Sequence, residues 1–212
     1  MKIKFKRYWR KTSLKKKEDA SFLLEHIEKI KPLNFLEVGI FHGVTSRNVC
    51  ELLYIIHGEN FKFTGIDLFS SEESKLSDEI APKTKFSNPL KTIYYNYLQK
   101  SDPYSYESVI RLLNKFSDNV NIIKGDSNQI LKGIRPLLFD YVFLDGGHKY
   151  ETVKNDLLNL TEVIRNNGII LCDDYNLSYA PGVKKAIDEY VSSNNFNLKI
   201  FQSRFAEIKK KL

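Results

Sequence analysis

The sequence predicts an α/β fold built on a largely parallel sheet with helices on both faces. Three observations predict it. From Phe35 onward, short apolar runs alternate with segments of helical periodicity. Most of those runs end at an acid or a glycine, as strands do when they feed crossover turns. The length, 212 residues, fits one α/β domain and demands no second.

The elements follow in order. Glu18–Ile30 carries Phe22, Leu23, Leu24, Ile27 and Ile30 at helical spacing and is expected to lie as a lid on the sheet edge. Asn34–Val38 (NFLEV) reads as the first strand, stopping at Gly39, and Val44–Ile56 as the helix after it. Phe61–Ile66 (FKFTGI) is the second strand and ends at Asp67. Val120–Lys124 (VNIIK) is the third, closed by Gly125 and Asp126. Phe139–Leu144 (FDYVFL) is the fourth, closed by Asp145, Gly146 and Gly147. Tyr150–Arg165 spaces Val153, Leu157, Leu160 and Ile164 as a helix does. Gly168–Cys172 (GIILC) is the fifth strand, running into Asp173 and Asp174. Gly182–Val191 is again helical, and Asn197–Phe201 with Phe205–Ile208 forms a closing hairpin.

Two segments break this rhythm. Residues 1–17 form a basic arm ahead of a domain spanning 18–212. Leu68–Phe116 is far longer than one crossover needs, although Tyr106–Phe116 reads as a helix. Four tyrosines in it (Tyr94, Tyr95, Tyr97, Tyr104) suit either a substrate-facing lid or plain packing.

Composition narrows the class. A hydrophobic content of 42% with 13% aromatics supports a sizeable core and excludes wholesale disorder. Cys50 and Cys172 form no CxxC pair, which argues against a disulfide framework or structural zinc and suits a reducing cytosol. No apolar run approaches the ~20 residues of a membrane span, and the start lacks the apolar centre of a secretory signal. A cytoplasmic protein is expected. Net charge is +7, but nine Lys or Arg precede Glu18 without one acid. With Lys209, Lys210 and Lys211 they make up twelve of the 33 basic residues, and the 21 that remain do not exceed the 26 acids. That counts against a domain built to track phosphates. The arm, with Phe5, Tyr8 and Trp9 interleaved, is open to peripheral membrane contact or an acidic partner, or to packing its aromatics on the domain.

Ligands in open α/β sheets bind beyond the carboxyl ends of the strands. Glu37, Gly39 and Gly43 sit at the first such end, where a glycine lets backbone approach a ligand. A dinucleotide site would prefer GxGxxG; here the middle glycine is Phe41 and an acid precedes the loop, so a ligand with a cationic end fits better. Asp67 can accept both hydroxyls of a ribose, or serve only as a turn residue. Asp126 and Ser127 can meet an adenine edge, or cap the next helix. Asp145, His148, Asp173 and Asp174 form the strongest cluster. Three carboxylates and an imidazole need a counter-charge, and oxygen ligands favour a hard divalent cation. The alternative is that the acids are turn residues and His148 a helix cap.

In order, LEVGIFHG, FTGIDLF, IIKGDSNQIL, FDYVFLDGGHKYETVKNDL and NNGIILCDDYNLSYAPGVKKAIDEY resemble the class I S-adenosylmethionine-dependent methyltransferases. Within them the match is to the branch of macrocin- and mycinamicin-type sugar O-methyltransferases and cephalosporin hydroxylase-like proteins. It runs from Asn34 to Val191 apart from the insertion. The resemblance implies a Rossmann-like, seven-stranded sheet with the last strand antiparallel. It implies that Glu37, Gly39 and Gly43 line the methionine end of the cofactor, that Asp67 holds the ribose, and that Asp126 and Ser127 hold the adenine. Asp145, Asp173 and Asp174 match metal-binding acids for Mg²⁺ or a similar ion, and catalysis falls to His148, as general base, and Asp145. The expected product is S-adenosylhomocysteine, and the expected acceptor a hydroxyl of a sugar, glycan or small natural product. Phe41 departs from the glycine common there. An N-methyltransferase, a hydroxylase, metal-independent transfer and a non-catalytic cofactor-binding module are the rivals. A nucleic-acid methyltransferase is disfavoured because no Asn-Pro-Pro-Tyr-type motif is present. The acceptor is not inherited, and a homo-oligomer stays open.

Overall fold

The computed structural model describes residues 4–69, 88–98, 102–134 and 138–211. The stretch SSEESKLSDE, and with it much of the expected lid, lies outside the described residues. Seven strands form one sheet in the order β3-β2-β1-β4-β5-β7-β6. They are β1 (Asn34–Val38), β2 (Lys62–Asp67), β3 (Val120–Lys124), β4 (Phe139–Leu144), β5 (Ile164–Cys172), β6 (Phe196–Phe201) and β7 (Phe205–Lys210). β1 to β5 are mutually parallel, and β7 runs antiparallel to both β5 and β6. The strand order reverses between β1 and β4, which places the ligand crevice over the carboxyl ends of those strands.

Strand alternation builds two cores. Phe35 of β1, Tyr141 and Phe143 of β4 and Ile169 and Leu171 of β5 face one side, under α1 (Lys17–Ile30) and α2 (Val44–His57). Leu36 and Val38, Val142 and Leu144, Ile170 and Cys172 face the other. There they meet the helices here numbered α5 (Ser127–Gly133), α6 (Tyr150–Leu160) and α7 (Pro181–Ser193). Cys50 and Cys172 are buried and free, on opposite sides of the sheet, so they cannot pair.

Three expectations change. α1 covers a face of the sheet, not its edge: Phe22 packs on Phe201 and Phe205 with ring centroids 4.9 Å apart, and His26 meets the Tyr141 hydroxyl at 2.8 Å. Helix α6 stops at Leu160, and Ile164 and Arg165 belong to β5. Ile164 pairs with Phe139 and Ile169 with Tyr141, so β5 carries a bulge between Ile164 and Ile169 that hides the start of the strand. Within the insertion, α3 (Pro89–Ile93) continues as a π-helical turn over Tyr94–Leu98, and α4 (Tyr106–Leu113) follows. Tyr95 and Tyr104 are buried, whereas Tyr97 is 72% exposed. The tyrosines therefore split between packing and solvent. No helix among the described residues is long and apolar enough to cross a membrane.

The basic arm is bound to the domain through one buried cation. Arg10 donates to the carbonyls of His42 and Pro103 at 3.0 Å, and to the Ser108 carbonyl and hydroxyl at 2.9 Å. It thus ties the arm to the loop after β1 and to α4, while Leu14 enters the core. Arg10→Ala strands three carbonyls without their donor and is expected to cost about 2–4 kcal/mol. Urea unfolding reads this directly; a change under about 0.5 kcal/mol, typical of a surface site, would mean the arm is loosely held.

Candidate active site

The candidate site lies across the carboxyl ends of β1, β2, β4 and β5. Glu37 is fully buried, and the Ser46 hydroxyl of α2 donates to its Oε2 at 2.6 Å. Its Oε1 is buried with no hydrogen-bond partner among the described residues. Burial raises the Glu37 carboxyl from 4.5 to about 8, with Ser46 opposing the rise and the nearby charge of Asp67 adding to it. An acceptor this deep without a donor costs about 1–3 kcal/mol unless a ligand supplies one.

Gly39 adopts φ +92°, and a Cβ there would stand 2.2 Å from the Asp145 carbonyl oxygen. The glycine is needed for the loops after β1 and β4 to touch, whatever ligand lies above them. Gly43, at φ +72°, precedes α2, and Val109 and Leu112 of α4 come within 3.2–3.3 Å of where its Cβ would be.

Asp67 holds the loop after β1. Its Oδ2 accepts from the amides of Ile40 at 2.6 Å and Phe41 at 2.8 Å. Its Oδ1 accepts from the Phe69 amide at 2.7 Å and the Tyr104 hydroxyl at 2.8 Å. Those four donors match the roughly four acceptor sites of a carboxylate, so a ribose hydroxyl would have to take the place of one, and only Tyr104 is a side chain. Burial pushes Asp67 up, with the Phe69, Phe41, Tyr104 and Ile40 donors opposing. Asp126 caps α5 by accepting from the Asn128 amide at 2.9 Å, and Ser127 opens that helix half-buried. Beside them the Asn128 Oδ1 is buried with no partner among the described residues, a feature the sequence reading missed.

The structure brings Asp145, His148, Asp173 and Asp174 together around a cavity of about 10 Å³, the size of one water. The His148 Nε2 lies 2.9 Å from the Asp174 Oδ2, and the Tyr179 hydroxyl donates to Oδ1 at 2.9 Å. Burial works to raise Asp174, but His148, Tyr179 and Arg204 outweigh it and hold the carboxyl below its usual range. Asp145 is pushed well above its usual range by burial and by the charges of Asp173 and Asp174, against a 2.7 Å hydrogen bond from the Ser13 hydroxyl.

The counter-charge these acids require comes from the chain itself. Arg204 grips Asp173 bidentately, Nε to Oδ1 at 2.5 Å and Nη2 to Oδ2 at 2.6 Å, and reaches Asp19 of α1 at 2.8 Å. Burial raises Asp173, and the guanidinium works against that rise. Among the described residues no three His, Cys, Asp or Glu side chains are arranged to hold a metal ion. As placed, Asp145, Asp173 and Asp174 do not fit the divalent metal expected of them, since Asp145 Oδ2 is turned to Ser13, both Asp173 oxygens to Arg204, and those of Asp174 to Tyr179 and His148.

Comparison with known proteins agrees with the fold. A family model described as a methyltransferase domain matches residues 36–175. The chain belongs to that methyltransferase family. Its fold is that of class I S-adenosylmethionine-dependent methyltransferases. A Podospora anserina methyltransferase, PaMTH1, solved with S-adenosylhomocysteine, superposes with a TM-score of 0.61 at 15% identity over 93% of this chain and 80% of that one. The O-methyltransferase TomG of Streptomyces achromogenes, from tomaymycin synthesis, gives 0.61 at 14% identity over 93% and 81%. CalS11, a TDP-rhamnose 3'-O-methyltransferase of calicheamicin biosynthesis, gives 0.61 at 14% identity over 91% and 78%. At such identities the likeness is one of fold. A search of curated proteins found no match.

For this methyltransferase the raised Glu37 carboxyl has a consequence for stability. Below pH 4.5 the group is protonated in both folded and unfolded chains. Between 4.5 and about 8 the unfolded chain gives up the proton while the folded one keeps it, so stability falls as pH rises through that window. The loss is on the order of 4 kcal/mol. Glu37→Gln has no proton to give up and is expected to melt higher than wild type at pH 8.5, by about 2–4 °C per kcal/mol recovered. Equal melting temperatures at that pH would contradict the assignment.

Proposed function

We propose that this methyltransferase uses S-adenosylmethionine to methylate a hydroxyl of a saccharide or small natural product. The observation that carries the reading is the buried Glu37 Oε1, which has no donor among the described residues at the strand end where the cofactor's cationic amino acid end would lie. A cationic ammonium there would supply both the missing hydrogen bond and the charge that keeps Glu37 ionised. Gly39 and Gly43 shape the same loop. Asp67 would hold the ribose once Tyr104 yields its place, and Asp126, Ser127 and the orphaned Asn128 Oδ1 surround the adenine position.

The bound cofactor supplies a methyl group on a sulfonium. In-line transfer mainly requires that the acceptor oxygen be aligned and deprotonated. His148 is half-exposed beside the crevice and backed by Asp174 at 2.9 Å, a pairing that orients the imidazole for general-base work. It takes the hydroxyl proton, and Asp145 borders the same space. TomG and CalS11, both O-methyltransferases, support a hydroxyl acceptor by analogy of fold.

The test is transfer of an isotopically labelled methyl group to nucleotide sugars, free saccharides, phenols and amino sugars, with the position read by NMR. Label on an oxygen is the expected result. Label on nitrogen alone would replace the reading with N-methylation, and cofactor binding without transfer to any class would favour a sensing module.

A further inference from the structure

We propose that Arg204 is the resident cation of the acidic cluster, standing where a divalent metal would otherwise be needed, so that this site works on its acceptor without one. The inference deepens the reading of the same site and rests on it. Asp173 is fully buried, and both its oxygens are committed to the two-pronged face of the guanidinium at 2.5 and 2.6 Å. That fork geometry gives two parallel charge-assisted hydrogen bonds, stronger and more directional than a single contact. The Nη2 also comes within 3.6 Å of the Asp174 Oδ1, so one guanidinium faces both acids at the end of β5.

Arg204 is placed there by the backbone, not swung in from solvent. It closes the turn between β6 and β7, donating its amide to the Phe201 carbonyl at 3.0 Å and accepting from the Tyr175 amide at 2.8 Å. Gln202 and Ser203 in that turn both adopt φ of +53°, a left-handed conformation that non-glycine residues take at some cost. A third arm reaches Asp19 on α1 at 2.8 Å, and the Ser13 carbonyl accepts from Nη2 at 3.4 Å. The side chain is only 11% exposed. Three elements therefore converge on one permanently charged group. A divalent ion would have to displace it, because a guanidinium does not give up its proton in a protein.

The consequence for chemistry is that acceptor activation falls to His148 and Asp174. Arg204 acts as a positioning residue: it holds both oxygens of Asp173 and leaves Asp174 to orient the imidazole.

The experiment is a calorimetric titration of Mn²⁺ into the full chain, as wild type, Arg204→Gln and the double variant Arg204→Gln/Asp173→Asn, with S-adenosylhomocysteine titrated into each afterwards. Wild type is expected to show no saturable Mn²⁺ binding at millimolar concentration. Arg204→Gln is expected to gain a one-to-one site, and the double variant to lose it. Saturable one-to-one binding by wild type that Asp173→Asn removes would overturn the proposal. So would a folded Arg204→Gln that gains no site, since something other than Arg204 would then be excluding the ion. If Arg204→Gln does not fold, the wild-type titration with Asp173→Asn as control still decides. Failure of S-adenosylhomocysteine to bind, with the Mn²⁺ results as expected, would remove the methyltransferase reading and leave the Arg204 assignment standing.

Discussion

Asp67→Ala is expected to abolish S-adenosylhomocysteine binding and to lower the stability of the chain by about 2–4 kcal/mol. The double effect follows from its partners. Three backbone amides, of Ile40, Phe41 and Phe69, donate to this carboxylate, and two of them belong to the loop that follows β1. Alanine leaves those buried donors without an acceptor and releases the loop that carries Gly39 and Gly43. Asp67→Asn separates the two roles: its single oxygen can still serve Ile40 and Phe41, while its amide nitrogen meets Phe69 and Tyr104 with a donor in place of an acceptor. The asparagine variant is therefore expected to retain most of the stability and lose most of the binding. Urea unfolding and calorimetry on both variants check this. Binding retained by Asp67→Ala would reject the ribose role, and unchanged stability would reject the loop role.

His148→Ala is expected to reduce kcat by about 10²–10⁴-fold while leaving cofactor affinity unchanged. The separation between the two readouts matters. His148 pairs with Asp174 at the end of β5, on the far side of β4 from Glu37 and Asp67, so losing the imidazole removes proton transfer without touching the cofactor end. Asp174→Asn should give a smaller loss, because the imidazole stays but is held less firmly. Single-turnover rates with a confirmed acceptor read both effects. A loss below about tenfold in a folded His148→Ala would reject the general-base role.

How much of this was legible in the sequence depends on where each signal resides. β1, β3 and β4 are apolar runs bounded by Gly or Asp, and periodicity finds them to the residue. β5 begins earlier than its apolar core because the residues between Ile164 and Ile169 fall out of register, and a bulge leaves no periodic trace. The acids at the ends of β4 and β5 were visible because the topology places strand ends together. Their partner was not. Arg204 lies 31 residues beyond Asp173 in a hairpin turn, and nothing in its spacing links it to that carboxylate. Arg10 was hidden differently, as one of nine basic residues in an arm where only burial distinguishes it. The Tyr104 contact with Asp67 and the orphaned oxygen of Asn128 are properties of side-chain placement with no sequence signal of their own.

The most direct test of the account is calorimetric binding of S-adenosylhomocysteine at pH 7 in two buffers of different ionisation enthalpy, on wild type and Glu37→Gln. Glu37 keeps its proton in the free chain up to about pH 8, and a cationic amine at Oε1 would expel it. Wild type is thus expected to bind with release of close to one proton, and Glu37→Gln to bind weakly or not at all, with no release. Tight binding by both proteins with no proton exchanged would contradict the placement of the cofactor at Glu37, and no binding by wild type would contradict the proposed chemistry itself.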